Sequence, residues 1–267
     1  IATPDLKQLA KLSGASAIES ITPSAFRLCN AVEHADIAPL CERVKLDFAY
    51  VPAERRLEDM RLAVMDMDST LITIECIDEI ADMQGLKPQV AAITEAAMRG
   101  ELDYPQSLRE RVALLKGLDA AALTRVYNER VRLSPGAEIM IARFRRLGIK
   151  TLLVSGGFTF FTERIRERLQ LDWTRSNVLE IANGVLTGKV IGEIVDAEVK
   201  RRALLERRDE LGITREQVIG MGDGANDLKF MGECAVGIAY HAKPVVRAQA
   251  THALTWVGLD GVLNLFS

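Results

Sequence analysis

The sequence has 267 residues, a formal net charge of −3 and 48% hydrophobic residues, which is the composition of an ordinary globular protein. It lacks the basic excess that a nucleic-acid surface needs. No apolar run reaches the ~18 residues of a membrane span. We therefore expect neither nucleic acid nor a membrane as a partner.

The cysteine pattern indicates reduced thiols. The four cysteines are Cys29, Cys41, Cys76 and Cys234. No two of them form a Cys-x-x-Cys pair, and their spacing matches no zinc pattern. The first residues also lack the basic and apolar regions of a signal peptide. These features predict a cytoplasmic protein without disulfides. The oligomeric state is left open, and a homodimer is compatible with the sequence.

Residues 1–58 are predicted to form an accessory α+β domain. A first helix would end at Gly14, a second would span residues 37–44, and a strand would span residues 46–51. Residues 52–59 are charged and begin with a proline, which is typical of a linker. This block contains no catalytic constellation, so we expect a structural or regulatory role.

The first strand of a second unit is predicted at residues 62–65, which are continuously apolar. It leads into Asp66 and Asp68, whose side chains would point to the same side of a regular strand. Two neighbouring carboxylates repel each other, and a hard cation such as Mg²⁺ relieves that repulsion. An Asp-x-Asp pair alone is often a solvated turn, so the pair needs support from elsewhere.

Four helices are predicted between this strand and the next one. Thr73 would cap the first, and the four would cover residues 74–83, 90–98, a stretch beginning near Pro105, and 120–131. Helices inserted directly after an active-site strand would form a lid over it. We therefore predict a helical cap at residues 74–132, inserted in a core of residues 59–73 and 133–267.

The remaining pattern alternates helices and strands. Ser134 would cap a helix that ends at Gly148, and the strands that follow would cover residues 150–154, 217–221, 235–239 and 252–256. Asn183-Gly184 lies between two apolar runs, a strong hairpin signal. The predicted fold class is α/β, with a Rossmann-like parallel sheet that carries the helical cap.

Three predicted strands end in polar loops, and the carboxyl ends of parallel strands meet at one edge of a sheet. The loops carry Asp66 and Asp68, then Ser155-Gly156-Gly157, then residues 222–227. Lys200 precedes the third strand. Carboxylates, a hydroxyl, a cation and glycines whose N–H groups can approach an anion suit phosphoryl transfer.

The same residues carry a family resemblance. Residues 66–70, Ser155, Lys200 and residues 222–227 resemble, in order, the four motifs of the haloacid dehalogenase superfamily. Within it, residues 66–71, 75–80, 106–112, 154–158 and 222–227 resemble the phosphoserine phosphatase family. The likeness covers roughly residues 60–257. Some bacterial members carry a regulatory, ACT-like module in front, where this chain has residues 1–58.

The resemblance implies the chemistry. Asp66 would be the nucleophile and form an aspartyl-phosphate, and Asp68 would protonate the leaving serine oxygen and then activate water. Mg²⁺ would bind Asp66, the Asp68 carbonyl and Asp223. The implied reaction is hydrolysis of O-phospho-L-serine to L-serine and phosphate, the last step of serine biosynthesis.

The resemblance also implies how the substrate is held. Ser155, Lys200 and the Gly156 amide would bind the phosphoryl oxygens. Asn226 and Asp227 would orient the metal ligands and Lys200. Glu75 would pair with the substrate ammonium and Arg109 with its carboxylate. From spacing alone, however, Glu75, Arg109 and Lys200 are better explained as solvated or surface-paired helix residues.

Alternative functions follow from the same motifs. A phosphotransferase of the superfamily would pass the phosphoryl group to another small alcohol, and the sequence separates it poorly from a phosphatase. A catalytically inactive amino-acid-sensing protein would be expected to have lost a residue such as Lys200 or Asp223, and both are intact. A dehalogenase is disfavoured because Asp68 has no task in that metal-free chemistry.

Overall fold

Nine strands and eleven α-helices are present in the computed structural model, which describes residues 2–267. The strands are β1 (Ala17–Thr22), β2 (Ala25–Cys29), β3 (Leu62–Met65), β4 (Lys150–Phe158), β5 (Trp173–Ala182), β6 (Val185–Ile191), β7 (Val218–Gly222), β8 (Val236–Tyr240) and β9 (His252–Leu254). The helices are α1 (Thr3–Leu12), α2 (Ile37–Val44), α3 (Cys76–Asp82), α4 (Lys87–Met98), α5 (Tyr104–Ala113), α6 (Ala121–Glu129), α7 (Ala137–Arg146), α8 (Thr159–Leu169), α9 (Ala197–Glu210), α10 (Leu228–Met231) and α11 (Pro244–Arg247).

The central sheet has the strand order β6-β5-β4-β3-β7-β8-β9, and only β6 runs antiparallel to its neighbour. Strand β3 lies in the middle, where Met65 pairs with Leu153 of β4 and Met221 of β7. Its four residues are buried because apolar clusters cover both faces of the sheet. This arrangement confirms the predicted α/β class and places the carboxyl ends of β3, β4 and β7 side by side.

The predicted hairpin is also confirmed. Strands β5 and β6 pair antiparallel around Asn183 and Gly184, whose φ angles are 52° and 79°. Two consecutive positive φ values are what a tight hairpin turn requires, and asparagine and glycine tolerate them best.

The strand predicted at residues 46–51 is wrong. This segment joins no ladder, because it is fixed instead by a side chain. The carboxylate of Asp47 accepts hydrogen bonds from the backbone N–H groups of Thr255, Trp256 and Val257, at 2.7–3.0 Å. The segment therefore fastens the N-terminal block to the end of β9 without forming a strand.

Two predicted helix caps are also wrong. Helix α7 begins after Gly136, and the hydroxyl of Ser134 donates to the carbonyl of Thr70 at 2.6 Å instead of accepting a hydrogen bond from a helix N–H. Helix α3 begins after Glu75, while the N–H of Thr73 bonds the carbonyl of Arg132. In both cases a hydrogen bond to another segment replaces the local cap.

Helices α3 to α6 follow one another in the chain between β3 and β4 and are called the helical insertion below. Its two ends meet, since Ile72 bridges Leu133 and the N–H of Ser134 bonds the carbonyl of Leu71 at 3.0 Å. Its far side is bonded to the β5–β6 hairpin at Leu186. The N–H of Gly117 donates to the Leu186 carbonyl, and the N–H of Leu186 donates to the Leu118 carbonyl, each at 2.8 Å. The insertion is therefore held at its entrance and at one flank.

The N-terminal elements have a small core of their own, made by four buried residues: Leu9, Ile37, Leu40 and Cys41. Helices α1 and α2 contact each other, and β1 pairs with β2. Like Asp47, Arg55 connects the N-terminal block to the region of β9. Its guanidinium nitrogen lies 2.6 Å from a ring nitrogen of His252. Within residues 2–267, none of the helices combines the length and the hydropathy needed to cross a bilayer.

Candidate active site

Asp66 follows the last residue of β3 and lies at the centre of the polar groups. One of its carboxylate oxygens, Oδ1, accepts the N–H of Met67 at 2.7 Å and lies 3.0 Å from the ammonium of Lys200. Lys200 lies on α9 and also contacts Oδ1 of Asp227 at 2.8 Å. Lys200 is 1% exposed and Asp227 0%, so this ion pair is sealed from water.

Buried charges of this kind are costly unless they are paired. Burial by itself lowers the pKa of Lys200, but the carboxylates of Asp227 and Asp66 reverse that effect and raise the pKa above its usual value. Lys200 is therefore a permanent cation, and it holds one oxygen of each carboxylate in place.

The loop after Asp66 bends sharply and reaches two other parts of the site. Ser69 has a φ of 54°, in the left-handed region, and its hydroxyl donates to Glu75 at 2.6 Å. Thr70 donates to Asp223 at 3.0 Å. Because Ser134 holds the Thr70 carbonyl, the position of Asp223 after β7 depends on a residue from the end of the helical insertion.

Three carboxylates could hold a metal ion, since oxygens of Asp66, Asp223 and Asp227 all lie within 4.8 Å of one another. Burial, followed by repulsion from Asp227, raises the pKa of Asp66 well above its usual value and that of Asp223 to about 6. A hard divalent cation prefers such oxygens and would relieve this repulsion. The donor set therefore fits Mg²⁺, although the carboxylate of Asp68 is outside this group.

Asp68 has a different environment. Its Oδ1 is buried and has no hydrogen-bond partner among residues 2–267. Burial, followed by the charge of Glu75, raises the pKa of Asp68 to about 8. A carboxyl group that keeps its proton near neutral pH can donate that proton to a leaving group.

The loop at the end of β4 supplies small groups that can approach an anion. The N–H of Gly157 donates to Ser155 Oγ at 2.8 Å, which leaves the Ser155 proton free for another acceptor. Added side chains would collide here: a Cβ on Gly156 would meet the hydroxyl of Tyr104. Glycine is therefore required for the close approach of α5 to this loop.

These groups line one cavity of about 130 Å³. Its floor is Asp66, Asp68, Ser155 and Asp223 at the sheet edge, and the predicted Gly156 and Asn226 lie at its rim. The opposite wall comes from the helical insertion, through Glu75, Ile77, Tyr104, Leu108 and Arg111. The cavity therefore has an acidic floor with Lys200 beneath it and a wall that carries one carboxylate and one guanidinium.

Comparison with known proteins agrees with this geometry. Residues 63–232 match the family model of haloacid dehalogenase-like hydrolases. The chain is 57% identical to a phosphoserine phosphatase of Polaromonas sp., over 79% of this chain and 91% of that protein. It is 43% identical to one of Vibrio cholerae, over 85% and 69% of the two chains.

The chain belongs to the phosphoserine phosphatase family of haloacid dehalogenase-like hydrolases. Solved structures of the family are also similar. An unliganded probable phosphoserine phosphatase from Vibrio cholerae has a TM-score of 0.85 at 35% identity, over 100% of this chain and 83% of that one. A substrate-bound phosphoserine phosphatase has a TM-score of 0.73 at 35% identity, over 78% and 99%. Residues 1–37 match a separate model, a domain of unknown function.

Most residues predicted as phosphatase site residues are brought together at the cavity, but Arg109 is not. It is exposed, and it is absent from the cavity lining, where Arg111 takes part instead. Arg111 lies three residues after the buried Leu108 and so shares its side of α5, whereas Arg109 is turned about 100° away from Leu108. The helical pattern held this signal, and the sequence prediction missed it.

Two further residues of the site were missed from the sequence. Tyr104 donates its hydroxyl to the Gly156 carbonyl at 3.3 Å, and Asn177 donates its amide to the same carbonyl at 2.8 Å. Tyr104 precedes Pro105 at the start of α5, and Asn177 lies in a polar stretch of β5. Neither position carries a sequence signal for a role at the end of β4.

Proposed function

We propose that this member of the phosphoserine phosphatase family hydrolyses O-phospho-L-serine at the cavity above β3, with Asp66 as the nucleophile. The observation that carries the proposal is that two nearby aspartates have different partners: Asp66 contacts the Lys200 ammonium at 3.0 Å, while Asp68 has a raised pKa and an unpartnered oxygen. Two carboxyl groups with different environments can serve as nucleophile and acid.

In the first step, an oxygen of Asp66 attacks phosphorus and the bond to the serine oxygen breaks. Asp68 gives its proton to that oxygen, so serine leaves as a neutral alcohol. In the second step, Asp68, now ionised, takes a proton from water, whose oxygen attacks the aspartyl-phosphate. Phosphate leaves and the Asp66 carboxylate is restored.

The phosphoryl oxygens are held by charge and hydrogen bonds. We assign this task to Ser155, the Gly156 amide and Lys200, with Asn226 and Asp227 supporting them. Mg²⁺ would be held by Asp66 and Asp223 with their neighbour Asp227, and when bound it would neutralise the charge that builds up between carboxylates and phosphate.

The helical insertion would select the substrate. Glu75 suits the ammonium of phosphoserine, and Arg111 suits its carboxylate, because a guanidinium can bind a carboxylate through two parallel hydrogen bonds. Arg111 replaces Arg109 in this role, since Arg111 lines the cavity. We also propose that residues 74–132 act as a cap over a core of residues 59–73 and 133–267, and that residues 1–58 form an accessory domain. A cytoplasmic location is consistent with four free cysteines.

The test is phosphate release from L-phosphoserine with and without Mg²⁺, beside p-nitrophenyl phosphate and an Asp66→Asn variant. We expect Mg²⁺-dependent release that falls by at least about 10⁴-fold in Asp66→Asn, because removal of a nucleophile leaves only binding and charge effects. Hydrolysis of p-nitrophenyl phosphate alone would contradict the proposed substrate. Transfer of phosphate to added glycerol in preference to water would contradict hydrolysis.

A further inference from the structure

The end of β4 contains an irregularity that the chemistry above does not explain. Val154 pairs with Arg175 of β5, and the next pair is Phe158 with Asn177, so four steps along β4 match two along β5. Three residues of β4, namely Ser155, Gly156 and Gly157, therefore lie opposite one residue of β5, Ser176. A bulge of this kind breaks the ladder and leaves backbone groups in need of other partners.

The side chain of Asn177 supplies those partners. Its amide N–H donates to the Gly156 carbonyl at 2.8 Å, and its own carbonyl accepts the N–H of Val195 at 2.8 Å. Asn177 is 0% exposed. Both ends of a fully buried amide are therefore satisfied by backbone groups from two different loops.

The Gly156–Gly157 peptide is held at both ends as a result. Its carbonyl is fixed by Asn177, and its N–H is fixed by Ser155 Oγ at 2.8 Å. The orientation of this peptide decides where the Ser155 hydroxyl points, because that oxygen is already an acceptor. The hydrogen bond from Val195 to Asn177 fixes the backbone one residue before Asp196. Asp196 caps the N-terminus of α9, the helix that carries Lys200.

We propose that Asn177 is a positioning residue for phosphoryl transfer: it sets the Gly156–Gly157 peptide and the start of α9, and so places Ser155 and Lys200 around one phosphoryl group. This inference rests on the proposed function only for the identity of the phosphate ester. Tyr104 donates to the same carbonyl from the helical insertion, over a longer distance of 3.3 Å. Tyr104 therefore links the helical insertion to the Gly156–Gly157 peptide, whose orientation Asn177 fixes.

The test compares Asn177→Ala with a matched control, Thr162→Val. Thr162 is 0% exposed and bonds Ser176 at 2.8 Å, so the control removes a buried hydrogen bond next to β5 without touching Gly156. For Asn177→Ala we expect kcat to fall about 10- to 100-fold on both phosphoserine and p-nitrophenyl phosphate, as with other residues that orient groups contacting the substrate. Inhibition by inorganic phosphate should weaken in parallel. Equal kcat values in the two variants would overturn the proposal.

A second variant covers the case in which Asn177→Ala does not fold. In Asn177→Asp the protonated carboxyl can still donate to Gly156 and accept from Val195, whereas the ionised form would repel the Gly156 carbonyl. We expect its kcat profile to shift to lower pH than that of the wild type, with the thermal midpoint recorded at each pH. A wild-type profile at reduced stability would show a merely structural residue. If the wild type ignores phosphoserine, the same comparison on p-nitrophenyl phosphate still decides the role of Asn177.

Discussion

The two ends of the cavity are built in different ways. The phosphoryl end lies at the middle of a sheet, where Ser155, Lys200 and Asp227 are almost fully buried and Lys200 contacts Asp66 and Asp227 at 3.0 and 2.8 Å. The recognition end lies on the helical insertion, where Glu75 is exposed and has one hydroxyl partner, Ser69. On the proposed function, the sheet fixes the groups that hold phosphate, and the insertion presents the groups that meet the rest of the substrate.

This difference indicates at which end of the cavity a displaced side chain would slow the reaction. Charge stabilisation in phosphoryl transfer depends on groups that are already in place before reaction. Recognition of an ammonium and a carboxylate tolerates small errors in position, because the attraction between charges falls off only gradually with distance. Substitutions at the phosphoryl end should therefore affect every phosphate ester, and those at the recognition end only phosphoserine.

After Asp66→Asn, the largest effect is expected from Lys200→Met. It removes the cation between Asp66 and Asp227 while keeping the length of the side chain. We expect kcat to fall on the order of 10²–10³-fold on both phosphoserine and p-nitrophenyl phosphate. The control is Lys229→Met, because Lys229 is exposed and forms an ion pair with Glu198 at 3.3 Å, away from the cavity lining. Steady-state kinetics of the two variants would refute the comparison if Lys200→Met kept near-normal turnover.

An intermediate effect is expected from Arg111→Ala. Loss of the guanidinium should raise KM for phosphoserine about 10- to 100-fold, in line with the value of a charged hydrogen bond. Hydrolysis of p-nitrophenyl phosphate, which carries no carboxylate, should change less than about two-fold. Arg109→Ala is the matched control from the same helix and should behave as the wild type. The reverse result would return the role to Arg109.

The smallest effect is a pH dependence of stability in metal-free protein. The raised pKa of Asp68, about 8, means that the folded state holds a proton that the unfolded chain has lost. The stabilisation from that proton is lost as pH rises through 8, so Tm should fall by about 2–3 °C between pH 7 and pH 9.

Thermal unfolding in a chelator would measure this fall. Asp68→Asn is the control for other titrating groups, since it lacks the proton but keeps the shape of the side chain. Mg²⁺ should reduce the fall in the wild type, because a bound cation favours the ionised carboxylates. An identical pH dependence in the wild type and Asp68→Asn would show that Asp68 does not carry it.

The phosphoryl end could be predicted from the sequence because its signal is local. An apolar strand followed at once by Asp66, and another followed by Asp223, specify both the buried strand and the polar edge. The same rule led to Ser155 after β4. The parallel sheet and the hairpin at Asn183 followed from equally local patterns.

The recognition end could not be predicted as well, because it depends on how a helix is rotated over a sheet. Arg109 and Arg111 lie on the same helix, and their spacing from Leu108 tells them apart only once Leu108 is known to line the cavity. Asn177 was missed for a related reason. Its partner is a backbone carbonyl left unpaired by a bulge in β4, and the residue pattern of β4 did not predict that bulge.

The neck of the helical insertion has a consequence for the diversity of such proteins. Its ends are fastened to each other by the bridge between Ile72 and Leu133 and by the bond from Ser134 to Leu71. Loop closure is therefore already met by the neck, and the insertion can lengthen, shorten or be exchanged at little entropic cost to the sheet. A graft of residues 74–132 from a relative would have to keep the contacts with the hairpin at Leu186 and with the Gly156 carbonyl. Substrate preference can then change as a module while the phosphate chemistry stays in place.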